Sequence, residues 1–151
     1  MELRFYLNGT EVSWDVKPNE YLSKTLRSHG IFSIRVGCDE TACGSCTVLV
    51  DDKPVLSCGV LSMKVMGKHV TTVEGIQEEA KRLADYIADE GGDQCSFCGT
   101  GIALTVYALK KEYKHPTDEQ IEKYMVGNLC RCSGYQSHFI AIKKYLEAEE
   151  K

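Results

Sequence analysis

The chain has 151 residues and a formal net charge of −4 at neutral pH, with 43% hydrophobic and 26% charged residues, which are ordinary values for a globular protein. The acidic balance argues against nucleic acid and anionic lipid as partners, because both require a basic face. No apolar run approaches the roughly 18 residues of a membrane-spanning helix, so no membrane segment is predicted.

The first 75 residues predict a small α+β unit of ferredoxin type. Apolar and polar side chains alternate in residues 3–7 and again in residues 12–16, and the Asn8-Gly9 pair between them is a strong hairpin signal. Asn19 is the candidate cap of a helix that runs to about His29 and ends at Gly30. Further strands are expected at residues 47–50, 55–56 and 69–73.

A cysteine-rich loop follows the predicted helix. Cys38, Cys43 and Cys46 have C-x4-C-x2-C spacing, and Cys58 follows at a greater distance. This is the spacing of plant-type [2Fe–2S] ferredoxins. Soft thiolate ligands suit such clusters, so the loop predicts a first iron–sulfur site.

From residue 76 onward the pattern is helical. Residues 77–89 and 102–111 predict two helices, and a third begins at a capping box formed by Thr117 and Gln120. A final helix follows residue 135. The apolar positions expected to face the core are Ala80, Leu83, Ala84, Ile87, Ile102, Val106, Leu109, Ile121, Tyr124, Met125, Phe139, Ile142 and Leu146. The four helices form two hairpins.

The turns of these two hairpins carry the remaining four cysteines, Cys95 and Cys98 as C-x2-C, and Cys130 and Cys132 as C-x-C. No cysteine is left over, so two full thiolate sets point to two metal centres. The second set alone is as compatible with zinc as with a cluster. Disulfides are disfavoured because the chain opens without a basic and apolar leader. A Rieske site is excluded because no cysteine is followed two residues later by histidine.

The other side chains suggest no bond chemistry, because no nucleophile–base pair is evident and no catalytic residue is expected. The eight thiols indicate a reducing compartment, and we expect the cytoplasm. Trp14 and Tyr135 are interpreted as packing or interface residues. Surface or capping positions are expected for the four histidines, His29, His69, His115 and His138. A free-standing two-cluster electron carrier and a zinc-stabilised interaction module are the alternative functions.

The residues around the cysteines resemble the small iron–sulfur subunit of the molybdenum hydroxylases, the family of xanthine dehydrogenase, aldehyde oxidoreductase and carbon monoxide dehydrogenase. The family pattern G-C-x-x-G-x-C-G-A-C-T-V is similar to residues 37–48. The patterns Q-C-G-F-C-T-P-G and G-N-L-C-R-C-T-G-Y are similar to residues 94–101 and 127–135. The resemblance implies an α+β fold, with a ferredoxin-like β-grasp domain over residues 1–75 and a four-helix domain over residues 76–151.

The resemblance also implies a function in a hetero-oligomer. The chain would pass electrons from a molybdopterin cofactor on a large molybdenum subunit, through two [2Fe–2S] clusters, to FAD on a medium subunit. The cluster of Cys95, Cys98, Cys130 and Cys132 would lie nearest the pterin. Gln94 matches a residue that hydrogen-bonds the pterin, and Cys132 matches a ligand close to it. The expected substrate is an N-heterocycle such as a purine, or an aldehyde.

Several positions depart from the family pattern. Thr41 and Ser96 replace glycines, and Gly99-Thr100 replaces Thr-Pro. None of these changes removes a thiolate, so both clusters are expected to persist. Ser96, Gly99 and Thr100 alter the turn that, by the resemblance, faces the molybdenum cofactor.

Overall fold

The computed structural model describes residues 1–149, which contain five β-strands followed or interleaved by five α-helices. The strands are β1 (Glu2–Leu7), β2 (Thr10–Asp15), β3 (Thr47–Val50), β4 (Lys53–Leu56) and β5 (His69–Thr71). The helices are α1 (Leu22–Ser28), α2 (Gln77–Asp89), α3 (Gly99–Glu112), α4 (Asp118–Met125) and α5 (Gln136–Glu149). The predicted α+β class is confirmed.

The strands form one mixed sheet in the order β2-β1-β5-β3-β4. β1 and β5 pair in parallel, and the other neighbours are antiparallel. Both hairpins turn on two residues of positive φ, Asn8 (50°) with Gly9 (84°), and Asp51 (50°) with Asp52 (65°). Paired positive φ values match the right-handed twist of the strands, and the predicted turn at Asn8-Gly9 is confirmed.

The first core lies between the sheet and α1. Leu3 and Phe5 of β1 are at most 1% exposed and pack with Leu22 and Leu26 of α1. Trp14 packs edge-on against Phe5 with ring centroids 5.1 Å apart, so its interpretation as a packing residue is confirmed.

The start of α1 differs from the prediction. Asn19 does not cap the helix, because the N-cap is Tyr21, whose side chain makes no capping hydrogen bond. The backbone of Tyr21 instead bridges to Leu61, and the Leu22 N–H donates to the Val60 carbonyl at 2.8 Å. This pairing holds Tyr21 in an extended conformation shortly after a turn at Pro18 and Asn19, so the helix begins only at Leu22.

The helical half follows the prediction closely. α2 has the predicted bounds, and α4 begins with the predicted capping box between Thr117 and Gln120. α3 begins at Gly99 rather than Ile102, and Ala84, expected in the core, is exposed. Within residues 1–149, no helix combines the length and the apolarity that crossing a bilayer requires.

A small shared core joins the sheet to the helices. Leu49 of β3 packs with Ile76, Leu104 and Ala108, and all four side chains are at most 3% exposed. At the rim of this core, the Lys111 ammonium of α3 pairs with the Asp52 carboxylate at 2.7 Å. The two halves therefore contact each other through buried apolar surface.

Candidate metal centres

The first cysteine set lies on two segments at the edge of the sheet. Cys38, Cys43 and Cys46 occupy the loop between α1 and β3, and Cys58 lies in a short 3-10 turn after β4. The Sγ atoms of Cys46 and Cys58 are 3.2 Å apart. The backbone N–H groups of Ala42 and Cys43 each donate to Cys38 Sγ at 3.4 Å. The loop thus surrounds one sulfur with donors, as expected where a thiolate must be stabilised.

Different environments act on the thiols of the first set. Hydrogen bonds from the backbone N–H groups of Ala42 and Cys43 lower the pKa of Cys38 to about 7. Burial, reinforced by the neighbouring Cys46 thiol, raises the pKa of Cys58 to about 12. The backbone donors therefore favour the thiolate of Cys38, whereas burial disfavours the thiolate of Cys58, which a bound cation would stabilise.

The second set is formed by two interhelical turns, as predicted. Cys95 and Cys98 lie between α2 and α3, and Cys130 and Cys132 lie between α4 and α5. Cys95 and Cys132 are exposed, with their Sγ atoms 3.5 Å apart. The Sγ atoms of Cys98 and Cys130 and a ring nitrogen of His138 lie within 4.8 Å of one another.

Burial and local hydrogen-bond donors also shift the thiol pKa values of the second set in opposite directions. Burial raises the pKa of Cys98 to about 12. The pKa of Cys95 is lowered, chiefly by the Phe97 backbone N–H. Burial opposes ionisation of Cys130, but hydrogen bonds led by the Ser133 hydroxyl outweigh it and lower the pKa. Because its thiol donates to Cys95, the pKa of Cys132 is raised.

Both sets suit a cluster bound by thiolates. All eight cysteines are free thiols, and the sulfur separations of 3.2 Å and 3.5 Å exceed the roughly 2.05 Å of a disulfide bond. Four convergent sulfurs with backbone N–H donors fit the chemistry of a [2Fe–2S] cluster. Sulfur donors alone do not separate iron from zinc in the second set.

Comparison with known proteins decides between these metals. Residues 5–82 match the family described as 2Fe-2S iron-sulfur cluster binding domain, and residues 72–143 match the [2Fe-2S] binding domain. The nicotinate dehydrogenase small FeS subunit of Eubacterium barkeri is 38% identical over 144 residues, covering 93% of this chain and 92% of that subunit. The chain belongs to the small iron–sulfur subunits of the molybdenum hydroxylases.

Larger relatives contain this iron–sulfur subunit as one part. The xanthine dehydrogenase of Emericella nidulans is 38% identical over 147 residues, which cover 89% of this chain and 11% of that enzyme. The chain therefore spans about a tenth of that relative. In the crystal structure of quinoline 2-oxidoreductase from Pseudomonas putida 86, one chain matches with a TM-score of 0.89 and 33% identity, covering 98% of this chain and 94% of that chain. The resemblance predicted from sequence is confirmed, and two [2Fe–2S]-binding domains are present.

The two glycine replacements in this iron–sulfur subunit occupy left-handed backbone positions. Thr41 has φ 54° and Ser96 has φ 55°, where glycine is favoured because it has no Cβ. The Thr41 hydroxyl donates to the Glu40 carbonyl at 2.6 Å, and the Ser96 hydroxyl donates to Asp93 Oδ1 at 2.5 Å. The altered turns thus keep the left-handed geometry, with local hydrogen bonds beside the strained residues.

Gln94 and Tyr135 lie on the exposed side of the second set. Gln94 is exposed, and its amide nitrogen donates to the Gly91 carbonyl at 3.4 Å. The Tyr135 hydroxyl accepts from the Cys130 backbone N–H at 3.1 Å, and 49% of this residue is exposed. Both side chains are accessible to a partner.

Backbone contacts join the two cysteine sets. The Leu129 N–H donates to the Cys43 carbonyl at 2.9 Å, and Leu129 directly precedes Cys130. Gly44 and Gly101 allow this approach, because a Cβ on Gly101 would lie 2.3 Å from the Gly44 carbonyl oxygen. A cavity of about 460 Å³ is lined by Cys43 together with all four cysteines of the second set.

His138 was missed by the sequence reasoning. It is 7% exposed, so the expectation of a surface or capping position is wrong for this histidine. The other expectations fit at His29, which is the C-cap of α1, and at His69, which is exposed. A signal was available, because His138 precedes the buried Ala141, Ile142 and Tyr145 by three, four and seven residues, which is helical spacing.

Proposed function

We propose that this chain is the electron-transfer subunit of a molybdenum hydroxylase complex. The first [2Fe–2S] cluster would be held by Cys38, Cys43, Cys46 and Cys58, and the second by Cys95, Cys98, Cys130 and Cys132. Each cluster, when bound, takes up and releases one electron at a time. The chain's own residues would hold the two clusters in place.

The observation that carries this proposal is the link between the two sets. A path of covalent bonds interrupted by one 2.9 Å hydrogen bond runs from Cys43, through its carbonyl and the Leu129 N–H, to Cys130. A ligand of each proposed cluster therefore lies at either end of one continuous backbone connection. Two isolated structural metal sites would not need such a connection.

The exposed thiols support the second set as the end that receives electrons. Cys95 and Cys132 are exposed beside Gln94, whereas in the first set Cys46 is buried and Cys38, Cys43 and Cys58 are half-buried. Together with the family match of Gln94 and Cys132, this favours the second set as the end near a molybdopterin cofactor. The surface of Gln94, Cys132 and Tyr135 is then the docking face for a large molybdenum subunit, and the first set delivers electrons to FAD on a medium subunit.

The relatives narrow the proposed substrate class. Their names contain nicotinate, xanthine and quinoline, which are N-heterocycles, and aldehyde oxidoreductases are also similar in structure. We therefore favour oxidation of an N-heterocycle by the complex, with an aldehyde as the alternative. The eight free thiols favour the cytoplasm as the compartment.

Native anaerobic purification followed by metal analysis tests the proposal. We expect four irons and four acid-labile sulfides per chain, two distinct paramagnetic signals on reduction, and co-purification of two larger chains with molybdenum and flavin. Detection of zinc, or of only about two irons per chain, would contradict the presence of one of the two clusters. An iron-replete chain that purifies alone would support the free-standing carrier instead.

A further inference from the structure

His138 belongs to a hydrogen-bond chain that ends on a proposed cluster ligand. Its Nε2 lies 3.1 Å from the Gly92 carbonyl oxygen, and its Nδ1 lies 3.3 Å from Ser133 Oγ. Ser133 Oγ is in turn 3.3 Å from Cys130 Sγ. This series of hydrogen bonds links the buried imidazole of His138 to a sulfur of the second set.

The donor and acceptor roles in this series of hydrogen bonds follow from the groups that each side chain carries. A carbonyl oxygen only accepts, so Nε2 carries the proton that is directed at Gly92. In the neutral ring Nδ1 is then an acceptor. Ser133 Oγ already accepts from the Tyr135 N–H at 3.1 Å, and it has a single proton to donate. That proton has two acceptors at equal distance, His138 Nδ1 and Cys130 Sγ.

We propose that His138 is a positioning residue that competes with Cys130 Sγ for the hydroxyl proton of Ser133 and thereby sets the reduction potential of the second cluster. The inference rests on the proposed ligation of that cluster by Cys130. Hydrogen bonds to ligand sulfurs stabilise the reduced, more negative cluster and raise its potential. A hydroxyl shared with His138 gives the sulfur less of this stabilisation than a hydroxyl that it holds alone.

One-electron reduction shifts this balance without moving a proton off oxygen. The added electron places more negative charge on the ligand sulfurs, and hydrogen bonds to charged acceptors are the stronger ones. The hydroxyl therefore rotates from Nδ1 towards Sγ when the second cluster is reduced. The Ser133 N–H, which donates to the same sulfur at 3.4 Å, stays in place in both states.

The test is a redox titration of the purified protein, in which the midpoint potential of the second cluster is read from its paramagnetic signal. Ser133→Ala should give a more negative midpoint than wild type, and His138→Leu a more positive one. The double variant should have the same midpoint potential as Ser133→Ala, because without the hydroxyl there is no proton for which His138 and Cys130 can compete. Ser133→Thr, which retains the hydroxyl, is the matched control and should keep the wild-type value.

His138→Phe provides a second route if the leucine variant does not fold. Its ring is similar in size to imidazole but has no nitrogen to accept the Ser133 hydroxyl proton, so the same positive shift is expected. An unchanged potential in both His138 variants would overturn the inference, as would a shift that persists in the Ser133→Ala background. Absence of a second signal in the wild-type protein would instead overturn the proposed function.

Discussion

Replacing Gly101 by alanine should weaken the junction between the two halves, whereas replacing Gly99 should not. Both glycines lie in α3, where alanine is preferred over glycine by up to about 1 kcal/mol. A Cβ on Gly99 would meet nothing within 4 Å, but a Cβ on Gly101 would lie 2.3 Å from the Gly44 carbonyl oxygen. The pair therefore separates helix propensity from steric contact.

The expected magnitudes follow from these contacts. Overpacking against rigid backbone costs about 3 kcal/mol. After the gain of about 1 kcal/mol in propensity, Gly101→Ala should be less stable than wild type by about 2 kcal/mol. For a chain of this size, that lowers the melting temperature by about 4–8 °C. Gly99→Ala should raise the melting temperature by up to about 4 °C.

Thermal denaturation of the anaerobically purified protein, followed by circular dichroism, measures both variants under one condition. A second reading is the magnetic interaction between the two reduced clusters, which should change in Gly101→Ala alone because Gly44 is displaced. If Gly101→Ala were as stable as Gly99→Ala, the backbone contact would not hold the two halves at their observed spacing.

Three further substitutions test the site. In Cys46→Ser, the first paramagnetic signal should be lost and the second retained. Within the complex, substrate should still reduce the second cluster, while reduction of the flavin nearly stops. If rapid-mixing absorbance showed wild-type flavin reduction in a variant that lacks the first cluster, the proposed order would be refuted. Thr41→Gly should raise the free energy of unfolding by up to about 1 kcal/mol, because relief of about 1–2 kcal/mol of left-handed backbone strain exceeds the entropy cost of glycine. A melting temperature lower than that of wild type would show that Thr41 is not strained. Gln94→Ala should leave both signals intact but slow the first electron transfer or loosen the complex, and turnover equal to wild type would make Gln94 only a turn residue.

Local signals made the first hairpin, α2 and the start of α4 predictable. Asn8-Gly9 specifies a turn whose positive φ values few other pairs adopt easily. Thr117 and Gln120 satisfy each other's backbone donors within four residues, so the start of α4 depends on nothing distant. The C-x4-C-x2-C, C-x2-C and C-x-C spacings likewise lie each within one loop, although each cysteine set draws on two segments.

Features that depend on contacts between distant segments could not be predicted. The start of α1 is fixed by pairing of Tyr21 with Leu61, which propensity at Asn19 does not reveal. The approach of Gly44 to Gly101 is equally invisible in the sequence, although each glycine stands beside a cysteine motif. The burial of His138 depends likewise on a distant segment, because its ring packs on the turn at Gly92, although its helical spacing with Ala141 and Tyr145 is visible in the sequence.

The core shared by Leu49, Ile76, Leu104 and Ala108 bears on how such a chain can be divided. Cleaving the chain near residue 75 would expose Leu49 on one fragment and Leu104 on the other. Both fragments would then carry an exposed, aggregation-prone apolar surface. Neither fragment is then a useful building block for engineering an electron carrier. The two halves are therefore expected to be retained together, and the match to Emericella nidulans xanthine dehydrogenase covers 89% of the chain.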